Sequence, residues 1–519
     1  MKKIKRGFIL LAFILSAGTI FAQKVSFDNV IKTYLRSAGA IVSGKEVTGY
    51  YYLYNIDKAD KKNNVYKLIV TDANLNTVVE KEIIDLKNIV LTDATFNGEY
   101  LAFKFINKDK EGTQVVRIFD KTGKEVDKKV WPINSKAYAY SMNFGNDDEI
   151  ESTDLYGIPG LGFLNFTPTL TKSGMLPHIG VEIRMIPKGT GGATSWMYAS
   201  PEKAFEIPYF LSYNNEVAFV SIMRRNEEKK RDIDFSIAAF NLKNGKKTFD
   251  KAFTDEKYEL DIVSSYFMEE KKENLFFGVL LDKEKKDTKD KTYGMFVAKI
   301  DNNGNMLSKT NILWSEFAKQ FKPVDEKGNA IDIGNVYIHK VVSTADGKIY
   351  AVGERFRKAA SGAGIAMMIL SGGGNGNGSV VKLIVEDLVL IEFDQNFKPI
   401  SMKFYDKGKN SVQLPGGAGM LGTAILGMYL KQSGQFDYEF TQERDDRSSF
   451  SIGYRFRQDK INYFGTISYK DGQLTQDKIS LKTDASRLMV FPGKPGYIAI
   501  YEYFKKEKRI DSRLEKINF

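Results

Sequence analysis

The chain has 519 residues, 27% of them charged, a formal net charge of +11, two histidines and no cysteine. Zero Cys excludes disulfides, a thiolate zinc site and a cysteine nucleophile, and two His leave little material for a multi-His metal site or a His-based triad. The basic residues are mostly Lys interleaved with acids, as across Asp282–Lys291, which reads as a solvated surface; a nucleic-acid reader concentrates Arg and aromatics on one face.

The N-terminus has the three parts of a secretory signal. Lys2, Lys3, Lys5 and Arg6 precede an apolar stretch, Gly7–Ile20, and Phe21-Ala22-Gln23 offers a cleavage point after Ala22. The stretch of about fourteen apolar residues is short of the roughly twenty that span a bilayer. Residues 1–22 are therefore expected to be removed and the chain exported, to the periplasm, the outer membrane or the medium. Without the four leader cations the net charge of +11 becomes +7.

From there a hairpin keeps returning: a β-branched or aromatic strand, a turn with Asp, Asn or Gly, and a second strand. Copies start at Lys67, Val116, Ile237, Phe296, Leu390 and Phe464. A second hairpin precedes it in several units, at Ala94–Phe103, Phe210–Phe219 and Val342–Ala351, with Asn97-Gly98 and Asp346-Gly347 suited to tight turns. Together they make four antiparallel strands per unit, one propeller blade.

Residues 23–519 thus read as one all-β propeller of seven or eight four-stranded blades. Blades fall near 39–84, 89–130, 206–253, 258–313, 336–405 and 449–480. A divergent one lies in 136–190, where Phe163–Phe166 and His178–Ile186 look like strands. The last segment, 487–519, is one strand short. Lys24–Ile31 can supply it, closing the ring and removing two open edges. One short helix is expected at Ile312–Phe321, ahead of Pro323.

Two uncharged Gly-rich runs interrupt the pattern, in insertions at 359–380 and 408–434. Three readings apply: mutual packing, a partner surface, or peripheral membrane contact through 359–380 and 411–430. Packing is favoured, because leaving both in water exposes one large apolar patch. Ile365, Met367, Met368, Ile369, Leu421, Ile425 and Leu426 are expected to be mainly buried.

No strong catalytic motif appears. His339 lies in what reads as an innermost strand, either as a base or ligand in the central channel or, the favoured reading, as a polar residue facing channel water. Asp147, Asp148, Glu149, Glu151 and Asp154 form an acidic run that offers hard oxygen ligands for Ca²⁺ but lacks the EF-hand spacing, so a solvated turn is favoured. Trp196 and Tyr198 lie in the Gly-rich loop that begins at Gly189, outside any expected strand, either exposed to touch a ligand or plugging a blade junction.

The Phe-Ala-Gln end of the leader and the Phe-Asp-x-x-Gly type hairpins resemble the secreted β-propeller proteins of uncharacterised function found in Gram-negative envelope proteomes. The resemblance implies a fold and a compartment, and transfers no catalytic residue. WD40 Trp-Asp dipeptides and kelch glycine pairs are missing. The expected function is a non-catalytic binding scaffold for a glycan, peptide or envelope protein, with no cofactor and no nucleic acid. The alternatives are a carboxylate- or Ca²⁺-dependent hydrolase or lyase at the channel, and envelope association through the Gly-rich insertions.

Overall fold

The structure, a computed structural model, describes residues 23–107, 112–133, 155–171, 178–187, 195–201, 205–225, 233–283, 292–321, 333–361, 378–415, 421–458 and 461–517. They form eight antiparallel sheets arranged as the blades of one propeller, which settles the count at eight. Blades 1 to 7 take consecutive strands, spanning 38–86, 89–132, 155–199, 206–251, 258–313, 335–405 and 438–480. Their innermost strands are Ala38–Ser43, Ile89–Phe96, Leu155–Ile158, Glu206–Tyr213, Tyr258–Met268, Asn335–Ser343 and Tyr438–Glu443. Blade 8 begins at Arg487–Pro492 and takes its outermost strand from the other end of the chain.

That closure is the one the sequence anticipates. Lys24–Phe27 pairs antiparallel with Arg509–Lys516, Lys24 opposite Arg513 and Phe27 opposite Ile510. Leu514 N donates to Gln23 O (2.9 Å) and Val30 N to Lys508 O (2.8 Å), while Tyr52 of blade 1 donates to Ser512 (2.9 Å). Main-chain pairing between the termini gives blade 8 its fourth strand and fastens the two ends of the ring to one sheet.

The recurring hairpin has a clear physical cause. Asp72, Asp120, Asp301 and Asp394 each accept two backbone N–H groups of their own turn, from Asn74 and Asn76, Thr122 and Lys124, Asn303 and Asn305, and Asn396 and Lys398, at 2.8–3.0 Å. This Asx geometry fixes the turn between the third and fourth strands. The residue three positions after the Asp takes positive φ: Gly123 (76°) and Gly304 (76°), but also Leu75 (65°) and Phe397 (60°). The left-handed backbone of Leu75 and Phe397 is offset by burial, since both side chains sit in the core shared with the preceding blade.

Each consecutive blade pair encloses one apolar core, and the pair formed by blades 8 and 1 does the same. A further core lies under the insertion of blade 6. There the third strand of blade 6, Gly378–Phe393, is long enough to pair with both the outer strand and an added fifth strand, Asn410–Pro415. Among the described residues two short helices occur. The helix α1 (Trp314–Phe321) falls within the expected segment, and α2 (Thr423–Gln432) falls in the second Gly-rich run.

The described part of the second run packs against the propeller. Leu426 is buried, and Leu421 and Ile425 are half-buried. Gly427 sets the approach: a Cβ there would lie 3.1 Å from the Tyr337 ring and 3.2 Å from that of Phe356. Ile365, Met367, Met368 and Ile369 lie outside the described residues. So do the leader, residues 1–22, and the acidic run Asp147, Asp148, Glu149, Glu151 and Asp154. No described helix is long and apolar enough to cross a membrane.

Candidate functional site

Five blades share one irregularity. In blades 2, 4, 5, 6 and 7 the innermost strand carries an extra residue opposite its neighbour, namely Thr92, Leu211, Val263, His339 and Glu439. A bulge leaves that residue out of the ladder and re-aims its side chain. In blade 6 this turns His339 away from channel water, correcting the expectation that it faces the channel; its side chain is fully buried. The imidazole stacks on Tyr438 (4.4 Å between centroids, 4° between planes) and meets Phe436 at 4.7 Å and Tyr337 at 5.1 Å. Its Nε2 lies 3.1 Å from Glu354 Oε2, but among the described residues neither ring nitrogen makes an aligned hydrogen bond. Burial pushes its pKa from 6.5 down to about 4 even though Glu354 favours the charged form.

Glu354 stands on the second strand of blade 6 and is the hub of a buried network. Its carboxylate accepts from Asp437 N (3.2 Å) and Tyr438 N (2.9 Å), and its Oε1 is 3.0 Å from the Lys407 ammonium. Burial opposes its ionisation, but Lys407 and the other donors outweigh it and hold the pKa at about 2. Lys407 is equally buried and also donates to Asp437. Burial works against its charge, and the two carboxylates still raise its pKa above the ordinary value. For Asp437 the balance is reversed: burial first, then the nearby Glu354, raise its pKa against the pull of Lys407.

Asp437 is where this network meets solvent. It lines a half-open cleft of ≈ 630 Å³ formed by blades 6, 7 and the approach to blade 8. Lys407 and Lys409 come from the loop after the outer strand of blade 6, and Arg455, Phe456 and Arg457 from the second strand of blade 7. Leu481, Thr483, Ala485 and Leu488 form the opposite wall. Four cationic side chains thus line the cleft with a single carboxylate. Arg455 is held by Glu439, the bulge residue of blade 7, and Lys409 lies 3.3 Å from Glu386, while Arg457 pairs with no acid among the described residues. Its size is that of a small-ligand site, but its lining is more polar than such sites usually are.

The opposite end of the channel is different. The first hairpin turn of blade 1 reaches across it: Lys45 Nζ is 3.0 Å from Glu443 of blade 7 and 3.7 Å from Glu270 of blade 5, its opposite in an eight-blade ring. Lys340 joins Glu443 (3.1 Å), Arg447 joins Glu270 (3.5 Å), and Lys45 N donates to Asp445 (2.9 Å). These ion pairs span that end of the channel, around which the sequence reading places its catalytic alternative.

Trp196 is neither in a loop nor exposed, correcting its sequence placement. It opens the outer strand of blade 3, Trp196–Ala199, is buried, and donates from Nε1 to Leu242 O of blade 4 (2.8 Å), plugging that blade junction. Tyr198 on the same strand donates to Glu206 (3.1 Å), part of a network with Ser200, Arg224 and Asp250. Neither residue reaches the cleft; of the sequence candidates only His339 belongs to its surroundings. Among the described residues no three His, Asp or Glu side chains converge as metal ligands. Glu354, Lys407, Asp437 and Arg457 escape sequence reasoning because the fold brings them together from four separate segments. The one local signal is Glu354, an acid directly after the apolar stretch Ile349–Gly353 and ahead of Arg355, Arg357 and Lys358.

No curated protein sequence matches the chain. Among solved structures it is similar to a eukaryotic initiation factor (11% identity, 86% of this chain and 96% of that one, TM-score 0.34). It is also similar to prolyl oligopeptidase B from Galerina marginata (9%, 91% and 55%, TM-score 0.39), of which it spans about half, and to the β-propeller domain of the Trilobed protease from Pyrococcus furiosus (11%, 73% and 98%, TM-score 0.30). Likenesses of this depth transfer no site and no activity. The sequence family is clear: over residues 1–518 the chain matches the family of unknown function DUF6770, and it belongs to that family.

Proposed function

We propose that this chain is an exported, non-catalytic binding propeller, acting in the periplasm, at the outer membrane or outside the cell. Its ligand sits in the cleft between blades 6, 7 and 8. The observation that carries the reading is the cleft itself: ≈ 630 Å³, half-open, with Arg457 unpaired among the described residues and Asp437, Lys407 and Glu354 as a rigid floor. A rigid, preformed pocket costs little ordering when it binds.

The test is a thermal-shift screen of small glycans and peptides against the wild type and Ala485→Trp, whose indole would obstruct part of the cleft. Ligands of the cleft raise the melting temperature of the wild type and leave the variant unmoved. Hits that stabilise both equally, or that are turned over to product, overturn the reading.

A further inference from the structure

We infer that the cleft takes an anionic ligand, a carboxylate or a phosphate or sulfate ester on a body of sugar size, and that such a ligand enters together with one proton on Asp437. The inference rests on the cleft being the binding site.

The charge inventory leads there. One buried ammonium, Lys407, serves two carboxylates, Glu354 and Asp437. Glu354 is saturated, with two backbone donors, Lys407 and His339 around it. Asp437 has hydrogen bonds only from Lys407 and, at long range, Asn410 (3.4 Å), with the Arg455 charge, itself tied to Glu439, as a further attraction that burial and Glu354 outweigh. A surplus negative charge in a desolvated cluster is costly, so the less satisfied carboxyl is the one that takes a proton. Protonated, Asp437 leaves Lys407 balanced by Glu354 alone and removes the single acid lining the cleft. What remains on the walls is Lys409, Arg455 and Arg457, with Phe456, Leu481 and Leu488 for an apolar face.

The other charged groups do not reverse the sign. From blade 6, Glu354 stays ionised and His339 stays neutral, by the directions given above. Lys409 is shared with Glu386, and from blade 7 Arg455 with Glu439. On α2, Lys431 lies over the Tyr438 ring (5.3 Å), and the lining from 481–488 brings no charge. An anion therefore meets a more positive cleft as pH falls through the titration of Asp437.

The probes are glucose, glucuronate, glucose 6-phosphate and glucose 6-sulfate, titrated calorimetrically into the chain at a series of pH values from 8 down to 4. The sulfate ester stays ionised throughout, so its pH dependence reports the protein. It should bind about tenfold tighter at the acid end of the series, the effect of one charge several ångströms away in a partly screened site. Asp437→Asn should bind it at pH 8 as tightly as the wild type does at the acid end, and Arg457→Glu should lose it. His339→Phe should keep the wild-type pH dependence. The ranking of glucuronate against the two esters distinguishes a carboxylate site from a phosphate or sulfate site. Glucose binding as well as the anions overturns the inference while leaving the cleft as the binding site. An affinity that stays the same across the whole series in the wild type overturns the role of Asp437. No binding of any probe at millimolar concentration overturns the anion class, and the Ala485→Trp screen then decides the fate of the cleft.

Discussion

The closed mouth of the channel and the blade 6–7–8 cleft use the same residue types to opposite ends. At the mouth, the half-exposed side chains of Lys45, Lys340 and Arg447 reach the half-exposed Glu270 and the buried Glu443, three cations on two carboxylates, and every one of these charges has a partner of opposite sign. In the cleft, Lys407 and Glu354 are wholly buried, Asp437 lacks a cation of its own, and Arg457 has no acid among the described residues. A set in which every charge is paired and every cation is half-exposed to water is a weak fastener. An unbalanced set around a desolvated floor is a store of charge that a ligand or a proton can complete. Proximity to the propeller axis, the usual guide, points to the first region; charge bookkeeping points to the second.

The largest effect separating the two should come from Lys407→Met. It strands the Glu354 carboxylate in the interior, held only by backbone N–H groups and a neutral imidazole. Breaking a buried pair from one side costs about 3–5 kcal/mol. Urea unfolding should show that loss, partly recovered in Lys407→Met/Glu354→Gln. A loss below about 1 kcal/mol would mean that the floor is solvated, and the contrast with the mouth would vanish.

An intermediate effect concerns acid. His339 binds its proton less readily folded (about 4) than its ordinary 6.5, so its neutral form favours the fold; this contribution is complete above pH 6.5 and is lost as pH falls from there towards 4. Glu354 acts lower, its contribution fading as pH falls from 4.5 towards about 2. His339→Phe keeps the aromatic contacts and forfeits no aligned hydrogen bond among the described residues. It should be near neutral at pH 8 and on the order of 2 kcal/mol more stable than the wild type at pH 5, seen in melting curves across that range. Parallel curves for the two proteins would show that the imidazole titrates in water.

How much of this was legible in the sequence depended on whether the signal was local. Asp72, Asp120, Asp301 and Asp394 announce their turns within five residues, and the missing strand of the last blade pointed to Lys24–Phe27. The innermost strand of blade 7, Tyr438–Glu443, passed unread because its bulge at Glu439 breaks the two-residue alternation that marks a strand. Trp196 read as a loop residue because its strand is four residues long and follows a Gly-rich stretch. The cleft joins residues more than one hundred positions apart, Glu354 to Arg457, and no spacing rule reaches across three blades. His339 was visible as an oddity, but the bulge that turns it inward was not.

The smallest effect is expected at the mouth. Lys45→Ala removes a side chain that bridges Glu270 and Glu443 across the channel while still partly exposed to water. Exposed pairs are worth less than about 1 kcal/mol and weaken with salt. Each carboxylate keeps another cation, Arg447 on Glu270 and Lys340 on Glu443, so no charge is stranded. The variant should therefore unfold within about 1 kcal/mol of the wild type in dilute buffer, and the difference should shrink further at 1 M NaCl, where the screening length is about 3 Å. A loss as large as that of Lys407→Met, unchanged by salt, would show that the mouth is sealed from water. The two regions would then be alike, and the channel would regain its place as a candidate site.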